Sequence, residues 1–185
     1  MKRPFLIGKR LYLRPLEEDD IDRCLVWVND SDITTTIAVR FPFNRSREQD
    51  WFAHLYKTDR DVPLAIVLKD GDHHIGNCGL HQIDYPNRHA QFGIMIGEKE
   101  EWDKGYASEA SHLIIDYGFN QLGLHRISLQ VYAHNSRAQR VYEKLGFARE
   151  GIMRESYYRD GRYHDTVTMG LLRSEWRRDG ASVLE

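Results

Sequence analysis

A chain of 185 residues, 41% hydrophobic and 29% charged, has the makeup of a globular domain that buries its core without disulfide or metal staples. Lysine and arginine total 26 against 28 aspartate and glutamate, a formal charge of −2, so the large cationic surface that grips nucleic acid is not expected. The same composition excludes collagen-like, disulfide-rich and disordered classes. Cys24 and Cys78 lack CxxC spacing and read as small buried hydrophobes, which suits the cytoplasm. No apolar run approaches the ~20 residues of a membrane span, and Met1–Gly8 lacks the apolar region of a signal peptide. The expectation is one soluble domain over residues 1–185.

In chain order, Lys9–Pro15 alternates Leu11 and Leu13 with Tyr12 and Arg14, as a strand does, and Pro15 ends it. Glu17–Val28 reads as a helix with acidic residues in its first turn and an apolar face of Ile21, Cys24, Leu25 and Val28. Residues 29–45 fit no regular element beyond a short helical turn. Ser46–Tyr56 reads as a second helix with Trp51, Phe52 and Leu55 on its apolar face. Pro63–Leu68, His74–Ile83 and Ala90–Ile96 follow as a meander of strands joined by turns at Asp70-Gly71 and Tyr85-Pro86-Asn87.

The period then changes. Lys104–Leu122 is helical, with Ala107, Ala110, Ile114, Tyr117 and Gly118 on one face and Gly123 as its cap. A strand at Arg126–Tyr132 and a helix at Asn135–Leu145, capped by Gly146, come next. Phe147–Glu155 and Tyr163–Leu171 close the chain as a hairpin around Asp160-Gly161. A meander followed by alternating strands and helices predicts an α+β fold: a mixed, mostly antiparallel sheet flanked by helices.

Chemistry concentrates at Trp102-Asp103-Lys104-Gly105-Tyr106-Ala107, between a strand and a helix. The first N–H groups of a helix lack internal partners and sit at the positive end of its dipole. A phosphate satisfies them where small residues let the backbone approach, and Gly105 and Ala107 provide that room. By itself this spacing is as well explained by a simple turn glycine. Asn135 and Tyr142, seven residues apart, are nearly two helical turns apart and face one side. An N-cap and a core aromatic would show the same spacing.

Together these residues resemble the GNAT superfamily of acyl-CoA-dependent N-acyltransferases. Its loop pattern, Gln or Arg, two residues, Gly, one residue, then Gly or Ala, is met at Gly105 and Ala107, with Trp102 in the first place. Its pattern Asn-x-x-Ala-x-x-x-Tyr-x-x-x-Gly-Phe is met at Asn135, Ala138, Tyr142, Gly146 and Phe147. Leu13–Leu16, Tyr117–Phe119 and Gly161–Asp165 are similar to the subgroup of ribosomal-protein N-terminal and spermidine acetyltransferases. The resemblance implies a splayed-strand cleft for acetyl-CoA as cosubstrate. Ile94, Met95 and Ile96 would meet the pantetheine arm and Trp102–Ala107 the pyrophosphate; Asn135 would bond the pantetheine or hold the cleft's lip, and Ala138 would also bind the cofactor. Tyr142 would be the acid that protonates the leaving thiolate.

Many members of the family carry Glu at the place of Gln91, and an amide cannot take up a proton. His81, His134 and Glu98 are the candidate bases, each also readable as an exposed or structural residue. His54 and His73-His74 lack metal-ligand spacing, so no metal is expected. Glu98–Glu101 reads as a solvated loop. The acceptor is expected to be a primary amine, and a protein or peptide N-terminus is favoured over a polyamine. The segment Thr34–Arg47 carries Arg40, Arg45 and Arg47 and no acid, which would repel a polycation. An α-amine, with a pKa of about 7.7–8.0, also demands less of a base than a lysine-like amine near 10.4. Amino-sugar and aminoglycoside acceptors, a non-catalytic acyl-CoA sensor and a nucleotide-binding regulatory domain are the rival readings. No nucleic-acid or membrane partner is expected, and a homodimer is left open.

Overall fold

The computed structural model describes residues 3–177; the remainder of the expected single domain lies outside the described residues. Its strands are β1 (Leu6–Ile7), β2 (Leu11–Pro15), β3 (Val62–Leu68), β4 (His73–Asp84), β5 (His89–Ile96), β6 (Arg126–Tyr132), β7 (Ala148–Arg159) and β8 (Arg162–Leu172). The helices are α1 (Ile21–Val28), α2 (Ser31–Thr34), α3 (Arg45–His54), α4 (Tyr106–Asn120) and α5 (Ser136–Lys144). The strands form one eight-stranded sheet in the order β1-β2-β3-β4-β5-β6-β8-β7. Every neighbouring pair is antiparallel except β5 and β6. Asp160 and Gly161, both left-handed at φ 50° and 79°, make the tight turn of the last hairpin.

The sheet buries both faces. On one, Leu11, Leu13, Ile66, Leu80 and Phe92 meet Ala110, Ile114 and Phe119 of α4. On the other, Tyr12, Ala65 and Val67 meet Ile21, Cys24 and Trp27 of α1 and Phe52 of α3. The alternation in β2 therefore separates two interiors rather than core from water: Tyr12 is as fully buried as Leu11 and Leu13. Both cysteines are buried, and burial pushes the Cys24 thiol up to about 12 and the Cys78 thiol up as well.

Three helical expectations need correction. The first helix begins only at Ile21, because Glu18–Asp20 forms a tighter 3-10 turn closed by a reciprocal capping box between Glu17 and Asp20. Its third buried residue is Trp27, with Leu25 and Val28 only half-buried. In α3 the buried positions are Phe52 and Glu48, while Trp51 faces solvent and stacks edge-on against Phe52. Glu48–Phe52 is a four-residue spacing whose first member no hydrophobic pattern reveals. Burial pushes the Glu48 carboxyl up, toward its neutral form.

Glu98–Glu101 is not a free solvated loop either. Glu98 pairs with Arg23 at 3.0 Å, Lys99 with Asp30 and Asp32 at 2.7 Å each, and Glu101 with Lys104 at 3.0 Å. These pairs fasten the segment after β5 to α1, α2 and the start of α4.

Arg14, buried in β2, grips Asp20 with both guanidinium nitrogens, at 2.7 and 2.8 Å. His74 Nδ1 lies 3.1 Å from the same carboxylate, off the line of a directed hydrogen bond. Burial alone would raise the Asp20 carboxyl, but the Arg14 fork and the His74 ring outweigh it and hold the group well below the usual carboxylate range. A depressed native value means stability that is present above the unfolded value of about 3.9 and is lost as pH falls below it. Asp20→Asn is expected to destabilise the fold by about 3–5 kcal/mol near neutral pH, the usual result of leaving a buried charge unpaired. Urea denaturation of both proteins should show that difference shrinking below about pH 4.

Candidate active site

β5 and β6 pair at only three positions, His89↔Arg126, Ala90↔Ile127 and Gln91↔Ser128. Beyond them β5 continues against β4 and β6 against β8, so the two strands part. Phe92, Tyr142 and Phe147 fill the fork, with ring centroids 6.0–6.4 Å apart. The opening is a cleft of about 670 Å³. Along Phe92–Ile96 the edge of β5 that faced β6 no longer has a strand partner, which leaves backbone groups for an extended ligand arm.

Of the residues expected at the site, Ile94, Met95, Ile96, Trp102, Ala107, Asn135, Ala138 and Tyr142 line this one cleft. Asp103, Lys104, Gly105 and Tyr106 do not line it; they form the turn between its two wall residues Trp102 and Ala107. Gly105 is left-handed at φ 80° and stands as the N-cap of α4 with no side-chain cap, so the first N–H groups of that helix have no side chain covering them. Arg10 braces the turn: its Nη1 donates to the Lys104 carbonyl at 2.8 Å and its Nε to Glu109 at 2.8 Å. Its guanidinium lies 4.5 Å from the centre of the Tyr106 ring.

Trp102 donates its indole N–H to the Ile96 carbonyl at 2.9 Å, tying the turn to the end of β5. Arg137, in the first turn of α5, pairs with Asp103 at 3.0 Å and covers the Trp102 ring at 5.3 Å. A cation from α5 thus stands above Trp102. Sequence reasoning missed Arg137. The available signal was its place in the first turn of a helix that follows a cleft strand.

Asn135 caps α5, its Oδ1 accepting from the Ala138 N–H at 3.1 Å. Its amide is therefore engaged with the helix, as an ordinary cap would be. Two turns on, Tyr142 lines the cleft while 8% exposed, and burial pushes its hydroxyl up to about 12.

At the far end, the Arg40 guanidinium lies 5.1 Å from the centre of the Tyr157 ring, which stacks on Tyr132 at 4.1 Å. Arg159 holds this corner by donating to the Tyr157 hydroxyl at 3.1 Å and to the Thr34 carbonyl. A second hollow of about 410 Å³ shares Arg40 and Tyr157 with the cleft. Arg45 and Arg47 depart from expectation. The first pairs with Asp22 and the second lies over Phe43 at 4.1 Å, so neither lines the cleft. Both sit on α3, whose side chains reach α1 and the preceding loop. Among the described residues the one carboxylate lining the cleft is Asp32, held by Lys99 at 2.7 Å.

The candidate bases separate just as clearly. Gln91 donates to Gln82 at 3.0 Å, Glu98 is paired with Arg23, and His134 Nε2 lies 3.2 Å from the Thr35 carbonyl. His81 Nδ1 lies 3.2 Å from Asp61.

A splayed parallel pair, an uncapped glycine turn before a helix and a buried tyrosine in the fork are thus gathered around one cleft. Residues 10–148 match the model of the acetyltransferase (GNAT) domain, and the chain belongs to that family. It is similar to the uncharacterised N-acetyltransferase p20 of Bacillus licheniformis, 31% identical over 92% of this chain and 97% of the relative. The putative ribosomal N-acetyltransferase YdaF of Bacillus subtilis is 36% identical over 60% of each chain. The spermidine N-acetyltransferase of Vibrio cholerae, solved with CoA and spermine, superposes with a TM-score of 0.83 at 29% identity, covering 90% of this chain and 97% of the other. This protein is an acetyl-CoA-dependent N-acetyltransferase acting on an amine.

Proposed function

We propose that the acetyl group passes directly from acetyl-CoA to the α-amine of a peptide or protein, with Tyr142 as the acid. The observation that carries the acceptor class is the charge of the acceptor end. Arg40 stands over Tyr157 between the two hollows, and Asp32, the one carboxylate lining the cleft among the described residues, shares Lys99 with Asp30. A polycation needs converging free carboxylates, whereas a peptide presents one amine, a polar backbone and carboxylates that suit Arg40. A polyamine is the second reading, favoured by the name of the Vibrio cholerae relative.

In this reading the pantetheine arm lies along the free edge of Phe92–Ile96, and the pyrophosphate rests on the turn at Gly105. Arg137 stands near enough to Asp103 to exchange that partner for a phosphate. The acceptor nitrogen attacks the thioester carbonyl, the C–N bond forms, and the C–S bond breaks toward a thiolate. Tyr142 remains protonated throughout the neutral range, since burial has raised its hydroxyl. The same dry surroundings disfavour a thiolate, so they raise the proton affinity of the departing sulfur as well.

Three outcomes are expected. Asn adopts left-handed backbone more readily than other non-glycine residues, so Gly105→Asn and Gly105→Asp differ chiefly in charge; calorimetry should show acetyl-CoA binding at least about tenfold weaker in the aspartate variant, because like charges oppose the phosphates. Tyr142→Phe keeps the ring in the fork and removes the donor, so kcat should fall by about 10²–10⁴ with acetyl-CoA affinity retained. For the acceptor, steady-state kinetics should give an unblocked peptide a kcat/KM above that of spermidine. Arg40→Ala should narrow that gap by about tenfold, the loss of one charge-assisted contact. A spermidine value about tenfold higher than the peptide's would establish the polyamine reading instead.

A further inference from the structure

The cleft has an acid in the fork but no carboxylate at Gln91 to take the proton that the attacking nitrogen must lose. The residue directly across the β4–β5 ladder from Gln91 is His81. Its surroundings are unusual for an exposed strand histidine. Just beyond it the ladder is interrupted by a bulge, with Gln82 left-handed at φ 51°. Bulges re-aim the side chains beside them. Asp61, immediately before β3, accepts from the Gln82 backbone N–H at 3.2 Å and places the same oxygen 3.2 Å from His81 Nδ1. An ionised carboxylate only accepts, so Nδ1 carries the proton, and in the neutral ring Nε2 then holds the lone pair.

That lone pair lies over a pair of glycines. Gly79 and Gly93 stand opposite each other in the ladder. A Cβ at Gly79 would be 2.6 Å from His81 Nε2 and one at Gly93 3.7 Å from it, so the ring occupies space that side chains there would fill. Gly93 is part of the cleft wall, in the first stretch of β5 after its pairing with β6 ends. Nε2 therefore stands beside the Gly93 backbone, next to the place where the strands part, although His81 itself is not among the residues that line the cleft. This face of the sheet also carries the second core, to which Ile33 and Ile37 belong, and the neighbouring Thr35–Ala38 line the cleft.

We infer that His81 is the general base of the transfer and that Asp61 orients it. The acceptor nitrogen forms its bond to the carbonyl carbon and gives one proton to Nε2, directly or through one water. The C–S bond breaks, and the sulfur takes the proton of Tyr142. The imidazolium, half-exposed beside Asp61, returns a proton to the tyrosinate through solvent, so the cycle consumes one amine and one thioester and yields one amide and one thiol. Gly79 and Gly93 are then the space for the ring, and the bulge at Gln82 is what turns it. This inference rests on acetyl transfer in the cleft and not on the choice of acceptor.

The test uses whichever of peptide or spermidine has the higher wild-type kcat/KM, which separates it from the acceptor question. His81→Gln should lower kcat by about 10²–10⁴ while the acetyl-CoA Kd, by calorimetry, stays within about threefold. His81→Ala should lose as much, and added imidazole should raise its kcat about tenfold or more, since it supplies the missing base. Asp61→Asn should lower kcat about tenfold with both KM values unchanged, a split that a purely structural role would not produce. A His81→Gln kcat within about threefold of wild type, or a loss in His81→Ala that imidazole leaves untouched, overturns the assignment. An unchanged kcat in Asp61→Asn overturns its orienting role.

Discussion

The separation of β5 from β6 after three paired residues is the constraint on which the site depends. A parallel pair that continued would consume its own backbone donors and acceptors and leave no room for a ligand. Phe92, Tyr142 and Phe147 prevent that closure: the first belongs to β5, the second to α5 and the third to the turn that follows it. Their rings occupy the volume that a continued ladder would need, so packing at the fork and exposure of the β5 edge are one event. The fork also buries the phenol. The same contacts therefore open the cleft and raise the Tyr142 hydroxyl.

The remaining elements hold that fork in place through polar ties of modest individual strength. Trp102 fastens the turn before α4 to the last carbonyl of β5, and Arg10 fastens it to β2 and Glu109. Lys99 anchors α2 and its acidic start beneath the acceptor end. Such pairs contribute little one at a time, but each joins the turns around the cleft to a strand or helix of the scaffold. The Arg14–Asp20–His74 group is different in kind: it is buried, closes the first helical turn onto β2 and β4, and would be expensive to break in part. It belongs to the scaffold, although the motif containing Arg14 is among those that mark the family.

The acceptor end shows how charge is distributed by partners rather than by composition. Three arginines lie in one stretch of sequence, yet Arg45 is paired with Asp22 and Arg47 covers Phe43. Arg40 alone reaches the cleft, where it covers Tyr157. Likewise Asp32 lines the cleft but shares Lys99 with Asp30. The electrostatic character of the site follows from which of these groups are already satisfied.

Sequence periodicity and turn chemistry determined the elements and their order, because alternation, helical spacing and glycine caps are local properties of the backbone. The class of chemistry came from the resemblance of the pattern at Gly105, Ala107, Asn135, Ala138 and Tyr142 to a known family, since each spacing alone fits an ordinary turn, cap or core residue. What the sequence did not contain was which long-range neighbours would meet. Glu48 is polar yet buried, and Trp51 is apolar yet exposed, because the sheet has an interior on each face and α3 turns its Glu48–Phe52 face toward the second one. Arg137 reaches Asp103 across thirty-odd residues of chain, and His81 reaches Asp61 only because a bulge turns it over two facing glycines. Proximity of that kind is set by register and packing between distant segments, and only the tertiary structure decides it.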